Sequence, residues 1–242
     1  MSLKGLNTAL SRASTIDRAL AEAQRNADFS APSGLDAPLL AALLERRAAA
    51  GLAPAMLVVT ATSREGEALR ASLAPYLPDA ELLEFPAWET LPHERLSPSA
   101  ETVGRRLHAL RRLHEWAEQP GPRHPLVVVA SVRAALQPIA DNLAALEPIE
   151  LVEGGRGHDL SQIALRLVDL AYARVDMVSR RGEFAVRGGI LDVFPPTADH
   201  PVRVEFFGDE VEELRAFSVA DQRSLPEPLE RVRLAPSREL LL

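Results

Sequence analysis

Two short, continuously apolar runs in the first half of the chain constrain the fold most strongly. They are Met56 to Thr60 (MLVVT) and Leu126 to Ala130 (LVVVA), and another short strand pattern covers Ala80 to Phe85. Unbroken apolar runs of this length are typical of strands that are covered on both faces. Helical patterns lie between them, one beginning at Ser63 and a long one running from Ser99 to about Glu118. Because strands and helices alternate at this spacing, the sequence predicts an α/β fold in which helices sandwich a parallel sheet.

Two further helices are predicted before the first strand. Thr15 to Asn26 carries apolar residues at helical spacing. Asp36 is suited to cap the second helix, DAPLLAALLERRAAAGL, which stops at Gly51.

The pattern changes after about Asn142, where short strands replace the alternation of strands and helices. Glu147 to Val152 is a candidate strand, and Asp159-x-x-Gln162 is a capping-box pattern for a helix that ends near Tyr172. Gly188-Gly189 and Gly208-Asp209 then separate segments as in antiparallel hairpins. The predicted strands are Arg174 to Ser179, Gly182 to Arg187, Gly189 to Phe194, Val202 to Phe207 and Glu210 to Phe217.

We therefore expect a domain boundary near residue 145. Residues 1–145 form the α/β domain, and residues 146–233 form an α+β domain with a mostly antiparallel sheet. Residues 234–242 are expected to begin a further element, and the three terminal leucines suggest that the chain is a fragment.

Charge and residue usage exclude several classes of protein. Lys and Arg number 27 and Asp and Glu 34, so the net charge is −7, whereas a protein whose main partner is the DNA backbone usually has the opposite sign. Cysteine is absent, which excludes disulfides, thiolate metal sites and a cysteine nucleophile and fits a cytoplasmic location. No apolar run approaches the ~20 residues of a membrane helix, and the first residues lack the layout of a secretory signal.

A phosphate-binding loop is the first chemistry that a helix-flanked parallel sheet suggests. Such a loop needs the pattern Gly-x-x-x-x-Gly-Lys-Ser/Thr, in which backbone N–H groups and the lysine hold the phosphates. Lys4 is the only lysine of the chain and lies outside any such pattern. The nearest stretch, Ser30 to Ala37 (SAPSGLDA), has one glycine and an aspartate where a lysine is needed. The sequence therefore predicts that this chain does not hydrolyse nucleotides.

Two other kinds of catalytic centre have weaker support. No two of the histidines show the helical spacing of a zinc site; they are His93, His108, His114, His124, His158 and His200. Carboxylates crowd the later strands and leave open a metal-dependent nuclease or a glycosidase pair, although a solvated acidic edge is the simpler explanation. These carboxylates are Asp192, Glu205, Asp209, Glu210, Glu212 and Glu213.

Strand alternation is more informative about the antiparallel part. In EFAVR, Glu183 and Arg187 point away from the face that carries the apolar residues, and in VRVEFF the residues Arg203, Glu205 and Phe207 do the same. Arginine and aromatic residues are enriched at the energetic centres of protein–protein interfaces. The alternation therefore favours a protein-binding surface of two arginines and one aromatic ring. The alternative is that Phe207 turns into the hairpin and that the arginines merely pair with the two glutamates.

Three strings in the chain closely resemble the N-terminal region of the bacterial transcription-repair coupling factors. They are FPAWETLPHERLSP from Phe85, VDMVSRRGEFAVRGGILDVFP from Val175 and VRVEFFGDE from Val202. The same region is similar to the N-terminal domains of the excision-repair helicase UvrB. The resemblance to the coupling factors runs from about residue 35 to the end of the chain. Two features of UvrB are missing. Its phosphate-loop pattern is not present, and a tyrosine-rich hairpin is excluded because Tyr76 and Tyr172 are the only tyrosines.

The resemblance implies a three-part module that has no catalytic activity and no cofactor of its own. A helicase-like domain with a degenerate nucleotide site comes first, an inserted domain that docks on the repair protein UvrA comes second, and a third part returns to the first. Arg187, Arg203 and Phe207 correspond to the residues that contact UvrA in this family. We expect Glu183 and Glu205 to hold the two arginine side chains in the free protein.

The same resemblance places the chain within a larger protein. The full-length protein is expected to be an ATP-dependent DNA translocase whose regions for RNA polymerase and DNA lie outside this chain. Another domain of that protein is expected to mask the UvrA-docking surface until the protein engages stalled polymerase. Two alternatives remain at this stage: a DNA-binding module of an excision-repair helicase, and a metal-dependent nuclease that uses the acidic cluster.

Overall fold

A computed structural model of the chain describes residues 2–10, 17–18, 21–22, 28–30, 32, 34–91, 96–140, 143 and 146–239. Its contacts divide the chain into two compact units. The first unit is Met1–Ala87 with Glu115–Gln137, and the second is Trp88–His114 with Pro138–Leu242. Most of the helix predicted over residues 15–26, together with His93 and the last three residues, lies outside the described ranges.

The described chain contains helices in both halves and strands in three sheets. The helices are α1 (Lys4–Leu10), α2 (Asp36–Ala49), α3 (Ser63–Leu73), α4 (Ala100–Glu118), α5 (Val132–Leu136) and α6 (Leu160–Asp169). The strands are β1 (Ala55–Thr60), β2 (Glu81–Phe85), β3 (Leu126–Ser131), β4 (Ile149–Val152), β5 (Ala173–Arg174), β6 (Glu183–Arg187), β7 (Ile190–Val193), β8 (Val202–Phe207), β9 (Glu210–Phe217), β10 (Ser224–Pro228) and β11 (Arg231–Leu234). Within these ranges no helix combines the length and apolar character needed to cross a membrane.

The first unit contains the predicted parallel sheet. Strands β1, β3 and β2 lie in that order, and β3 pairs in parallel with both neighbours. Helices α2 and α3 cover one face of this sheet through a core that includes Ala41, Leu73 and Val129. The expectation that β1 is covered on both faces is wrong for the described residues, since Leu57 and Val59 are exposed. They alternate with Met56 and Val58, which pack on that core, and β1 is an edge strand of the sheet.

Helix starts agree with the sequence at two positions and differ at one. Asp159 caps α6 by accepting hydrogen bonds from the backbone N–H groups of Ser161 and Gln162. Helix α3 begins at Ser63 as predicted, and the preceding Thr62 caps it through a reciprocal capping box with Glu65. The expected cap at Asp36 is wrong, because Asp36 is already the first residue of α2 and its flanking residue, Leu35, provides no side-chain cap.

The second unit contains a six-stranded sheet in the order β10-β9-β8-β7-β6-β5. All neighbours pair in antiparallel orientation except β5 and β6, so the predicted mostly antiparallel sheet is confirmed. A separate two-stranded sheet pairs β11 with β4. Helix α6 and this small sheet pack on one face of the large sheet, around buried residues such as Leu167, Leu151 and Leu234.

The opposite face of the large sheet is covered only at one end in the described chain. A small cluster of Val178, Ala185, Phe194 and Phe217 lies there. Because side chains alternate between the two faces of a strand, the remaining residues of this second face point away from the main core.

Two strands were not predicted, and one is shorter than predicted. Strand β10 contains Pro226 and Pro228, which argue against a strand except at the edge of a sheet, and β10 is an edge strand. Strand β11 pairs with β4, which lies far away in the sequence, so no local turn signal announces it. Strand β5 ends at Arg174 rather than continuing to Ser179, and Ser179 instead donates its backbone N–H to Glu183.

Candidate functional site

The hairpin registers bring the sequence-predicted residues onto one surface. Arg187 pairs with Ile190, and Ile190 pairs with Glu205, so these three residues form a row across β6, β7 and β8. The next row contains Ala185, Asp192 and Arg203. We call the open face the part of the sheet that carries Arg187, Ile190, Asp192, Arg203, Glu205 and Phe207.

The open face is built around one buried carboxylate. Asp192 is only 1% exposed, and its two oxygens accept hydrogen bonds from two arginines. Arg203 donates from Nε to Oδ1 at 2.7 Å and from Nη2 to Oδ2 at 2.9 Å, which is a bidentate pairing. Arg187 donates from its Nη2 to the same Oδ2. Two cations therefore share one anion, and the cluster keeps an excess positive charge.

Arg203 is the better held of the two cations. Its guanidinium carbon lies 5.0 Å from the centre of the Phe217 ring, and its Nη1 lies 3.5 Å from the backbone oxygen of Gln222. Its side chain is 19% exposed. The hydrogen bonds to Asp192 raise the pKa of Arg203, so this group stays charged.

Arg187 is held by one end only. Its side chain is 51% exposed, and within the described residues its guanidinium donates only to Asp192. An arginine has five N–H donors in a planar fork, so most of those on Arg187 face solvent. Arg187 and Arg203 both bind Asp192, and Arg187 is the one that keeps most of its donors available.

Phe207 is the aromatic residue of the open face. It is the last residue of β8, immediately before the turn at Gly208, and its side chain is 77% exposed. The preceding residue, Phe206, points the other way and packs against the main core. The alternation therefore places the two neighbouring phenylalanines as predicted, and Phe207 does not turn into the hairpin.

The two glutamates do not hold the arginines as expected. The Glu183 carboxylate accepts hydrogen bonds from the backbone N–H groups of Ser179 and Arg180, both at 2.9 Å, so it fixes the turn before β6. Glu205 lies opposite Glu213 in the β8–β9 ladder and acts on Arg203 only as a nearby negative charge. Asp192 has the role that the sequence analysis gave to these two residues.

Sequence reasoning missed two residues of this surface. Asp192 was grouped with the acidic cluster, and Ile190 was not considered. The Gly188-Gly189 turn sets the register between β6 and β7. With that register, the same alternation places Ile190 and Asp192 of β7 on the open face.

The acidic cluster is not assembled into a metal-ligand set in the described chain. No three or more His, Cys, Asp or Glu side chains of the described residues lie together so that they could hold a metal ion. Both oxygens of Asp192 bind guanidinium groups, and Glu210 pairs with Arg156 at 2.8 Å. Glu213 pairs with Arg215 at 2.5 Å. Structure therefore gives the nuclease alternative no geometric support.

Comparison with known proteins agrees with the resemblance of the strings. Residues 150–240 match the family model described as the UvrB interaction domain. The chain is 57% identical to the transcription-repair-coupling factor of Mycobacterium bovis over 211 residues, which are 86% of the chain. Most of the chain is therefore similar to the N-terminal region of the transcription-repair coupling factors.

More distant coupling factors match the same chain. That of Bacillus subtilis is 34% identical over 76% of the chain, and that of Escherichia coli is 36% identical over 66%. The chain spans 17%, 15% and 13% of the lengths of the M. bovis, B. subtilis and E. coli coupling factors. The open face lies entirely inside the matched UvrB interaction domain.

Proposed function

We propose that this chain is a recruitment module that docks the excision-repair protein UvrA through the open face and has no catalytic activity of its own. The observation that carries this proposal is that Arg187 and Phe207 lie exposed on the same open face, where the buried carboxylate of Asp192 holds Arg187. Residues 146–233 are the docking domain, and they include most of the matched UvrB interaction domain.

Each residue of the open face has a distinct role in this proposal. Arg187 donates charge-assisted hydrogen bonds to acidic groups of UvrA. Phe207 buries its ring in the partner as the apolar anchor. Arg203 contributes positive charge at the edge of the cluster and fixes Asp192, which in turn holds Arg187. Glu183 keeps the turn before β6 in shape, and Glu205 limits the net positive charge of the face. Truncation of a desolvated anchor to alanine costs about 2 kcal/mol, or roughly thirtyfold in affinity.

We also propose that residues 1–145 are a helicase-like α/β domain whose nucleotide site is degenerate. Its parallel sheet order and the missing phosphate-loop pattern support this assignment. Lys4, the only lysine, forms an ion pair with Asp79 at 2.6 Å. No other lysine is available to neutralise nucleotide phosphates.

The remaining steps of repair belong to other parts of a coupling factor. RNA polymerase and DNA are engaged by regions outside this chain, and ATP-driven translocation along DNA belongs to the full-length protein. In that protein another domain masks the open face until stalled polymerase is bound. The module acts in the cytoplasm, where its partners work on the chromosome.

Calorimetric titration of the chain with UvrA tests the docking proposal. Wild type is expected to bind, and Arg187→Ala, Arg203→Ala and Phe207→Ala are each expected to weaken binding by roughly thirtyfold. Arg231→Ala is the matched control for the arginines, because Arg231 is exposed and ion-paired on the two-stranded sheet. Leu136→Ala is the control for Phe207, because Leu136 is an exposed apolar residue of the first unit. Wild-type affinity in all three open-face variants would reject this site.

A titration of the chain with duplex DNA at low salt tests the remaining alternative. A DNA-binding module is expected to bind tightly and to lose affinity steeply as salt rises. The net charge of −7 predicts that this chain does not. Tight, salt-sensitive binding that survives the open-face substitutions would favour the alternative.

A further inference from the structure

A groove of about 580 Å³ lies in the second unit between helix α6 and the large sheet. Leu160, Ala164, Leu165 and Val168 of α6 form one wall, and Val186 and Phe206 lie on the sheet side. This volume falls within the range of sites that bind ligands or side chains of a partner. The groove is on the opposite face of the sheet from Arg187 and Phe207.

Helix α6 exposes more apolar surface than its role in the core requires. Ile163 and Leu167 are buried against the sheet, which is the ordinary use of an amphipathic helix. Leu165 and Val168 also line the groove but remain 59% and 53% exposed. Contiguous exposed apolar side chains on a soluble domain are typical of a surface that another chain covers.

A single positive charge lies at the groove. Arg174 of β5 lines it and is exposed, and among the described residues its guanidinium forms no hydrogen bond or ion pair. An apolar groove with one free guanidinium is complementary to a segment that carries apolar side chains beside a carboxylate.

The groove and the open face share the same two hairpins. Gly188 and Gly189 line the groove, and they directly follow Arg187 of the open face. Gly208 also lines the groove and directly follows Phe207. The three glycines have no side chain to form a barrier at the hairpin tips, and Gly188 and Gly208 adopt the positive φ that favours glycine there. A partner bound at Arg187 and Phe207 can therefore extend past the glycine turns at the hairpin tips into the groove.

We propose that the groove is a second contact for the same partner, in which a segment of UvrA that combines apolar side chains with an acidic residue binds between α6 and β6. This inference rests on the proposed function, because the open face brings UvrA to the hairpins. The apolar side chains of the segment cover Leu165 and Val168, and its carboxylate pairs with Arg174. UvrA then contacts both faces of the sheet at the two hairpins.

Two substitutions test the groove by calorimetry with UvrA. Leu165→Ser is expected to weaken binding roughly tenfold, which corresponds to losing the burial of most of one leucine side chain. Arg174→Glu is expected to weaken it by a similar factor, and the loss should shrink as salt rises. Both residues are exposed, so the variants should unfold at the wild-type temperature. Leu136→Ser and Arg231→Glu are matched controls on other surfaces of the chain.

The absence of cysteine allows a second, direct measurement. A Leu165→Cys variant carries a single thiol for an environment-sensitive fluorophore, and Leu136→Cys is its control. Adding UvrA should shift the emission of the label at position 165 to the blue and leave the label at position 136 unchanged.

The outcomes separate the groove from the open face. If UvrA binds, Arg187→Ala weakens it and both groove variants match wild type, the groove proposal is overturned and the open-face proposal stands. If the groove variants bind weakly but the label at position 165 does not respond, the effect is indirect and the groove proposal is also overturned. If wild type does not bind UvrA at all, both proposals fail.

Discussion

Asp192 and Arg203 lie directly opposite each other on β7 and β8, and both oxygens of the buried carboxylate accept hydrogen bonds from the guanidinium at 2.7 and 2.9 Å. A buried carboxylate is costly unless it is paired and hydrogen-bonded. Here one bidentate arginine meets that requirement, and Arg187 binds as a second cation. The pair therefore does more than satisfy a charge, because it holds the exposed arginine in one orientation before any partner arrives.

The first prediction concerns this shared carboxylate. Asp192→Asn keeps the shape but removes the charge that both guanidinium groups bind. Stability should fall by about 2–3 kcal/mol, at the lower end for a broken buried pair because Arg187 is half exposed. Affinity for UvrA should fall roughly tenfold, since Arg187 must then be ordered on binding. Chemical denaturation and calorimetry measure the two effects.

Asp176→Asn is the control for that prediction, because Asp176 is an exposed carboxylate of the same unit. It should change neither quantity. An Asp192→Asn variant with wild-type stability would contradict the claim that this carboxylate organises the open face.

The second prediction uses two neighbouring phenylalanines that face opposite ways. Phe207→Ala should leave the free energy of unfolding within about 0.5 kcal/mol of wild type, because the ring is mostly in water, yet it should weaken UvrA binding roughly thirtyfold. Phe206→Ala should instead cost about 2 kcal/mol or more of stability, because its ring packs on the main core. Thermal melts measure the stability of both variants, and titration with UvrA measures the affinity of Phe207→Ala. Similar stability losses in the two variants would contradict it.

The alternation of side chains along β6 and β8 predicted on which face of the sheet the residues of these two strands lie. Phe184, Phe206 and Phe207 lie on the faces that their positions in EFAVR and VRVEFF indicate. Alternation is a property of a single strand with a period of two residues. The face of each side chain can therefore be predicted without knowing which strands pair with it. The parallel sheet of the first unit was predicted from a different signal, the alternation of short apolar runs with helical segments.

The partner of each charge was not predictable in this way. Glu183 and Glu205 were expected to hold the two arginines, but the hydrogen bond of Arg187 goes to Asp192 across the hairpin. Such pairings depend on register, which the Gly188-Gly189 turn sets. Pairings between segments far apart in the chain, such as β4 with β11, leave no local signal at all.

The third prediction concerns pH and the start of helix α4. Burial opposes ionisation of Glu89, but hydrogen bonds from Ser99 and Thr102 favour the charged form more, so the pKa of Glu89 lies below its usual value. A lowered folded-state pKa stabilises the protein above the unfolded-state pKa, and this contribution is lost as pH falls through the folded-state value.

Glu89→Gln should therefore reduce stability at pH 7 by about 1 kcal/mol, a figure discounted for the solvent around a partly buried carboxylate. Near pH 3 the variant and wild type should differ less. Urea denaturation at both pH values measures the difference. An equal loss at pH 7 and pH 3 would show that the carboxylate charge has no part in it.

The last prediction concerns a buried ion pair of the second unit. Arg106 of α4 is fully buried, and its Nε donates to Glu239 Oε1 at 2.5 Å. The indole Nε1 of Trp88 donates to the same oxygen at 2.9 Å, and the guanidinium carbon lies 5.0 Å from the centre of the Trp88 ring. The three side chains together join α4 to the segment that follows β11.

Removing one charge from this pair should cost more than removing both. Glu239→Gln removes the buried carboxylate charge that Arg106 binds, so stability should fall by about 3 kcal/mol. The double variant Arg106→Met with Glu239→Leu replaces both charges with apolar groups and should recover most of that loss, because a buried pair is largely offset by its own desolvation. A double-mutant cycle in urea gives the coupling free energy. UvrA binding should remain at the wild-type level in the double variant, since neither residue lies on the open face or the groove. A double variant that is less stable than Glu239→Gln alone would contradict this prediction. It would mean that the attraction between the two charges exceeds the free-energy cost of burying them.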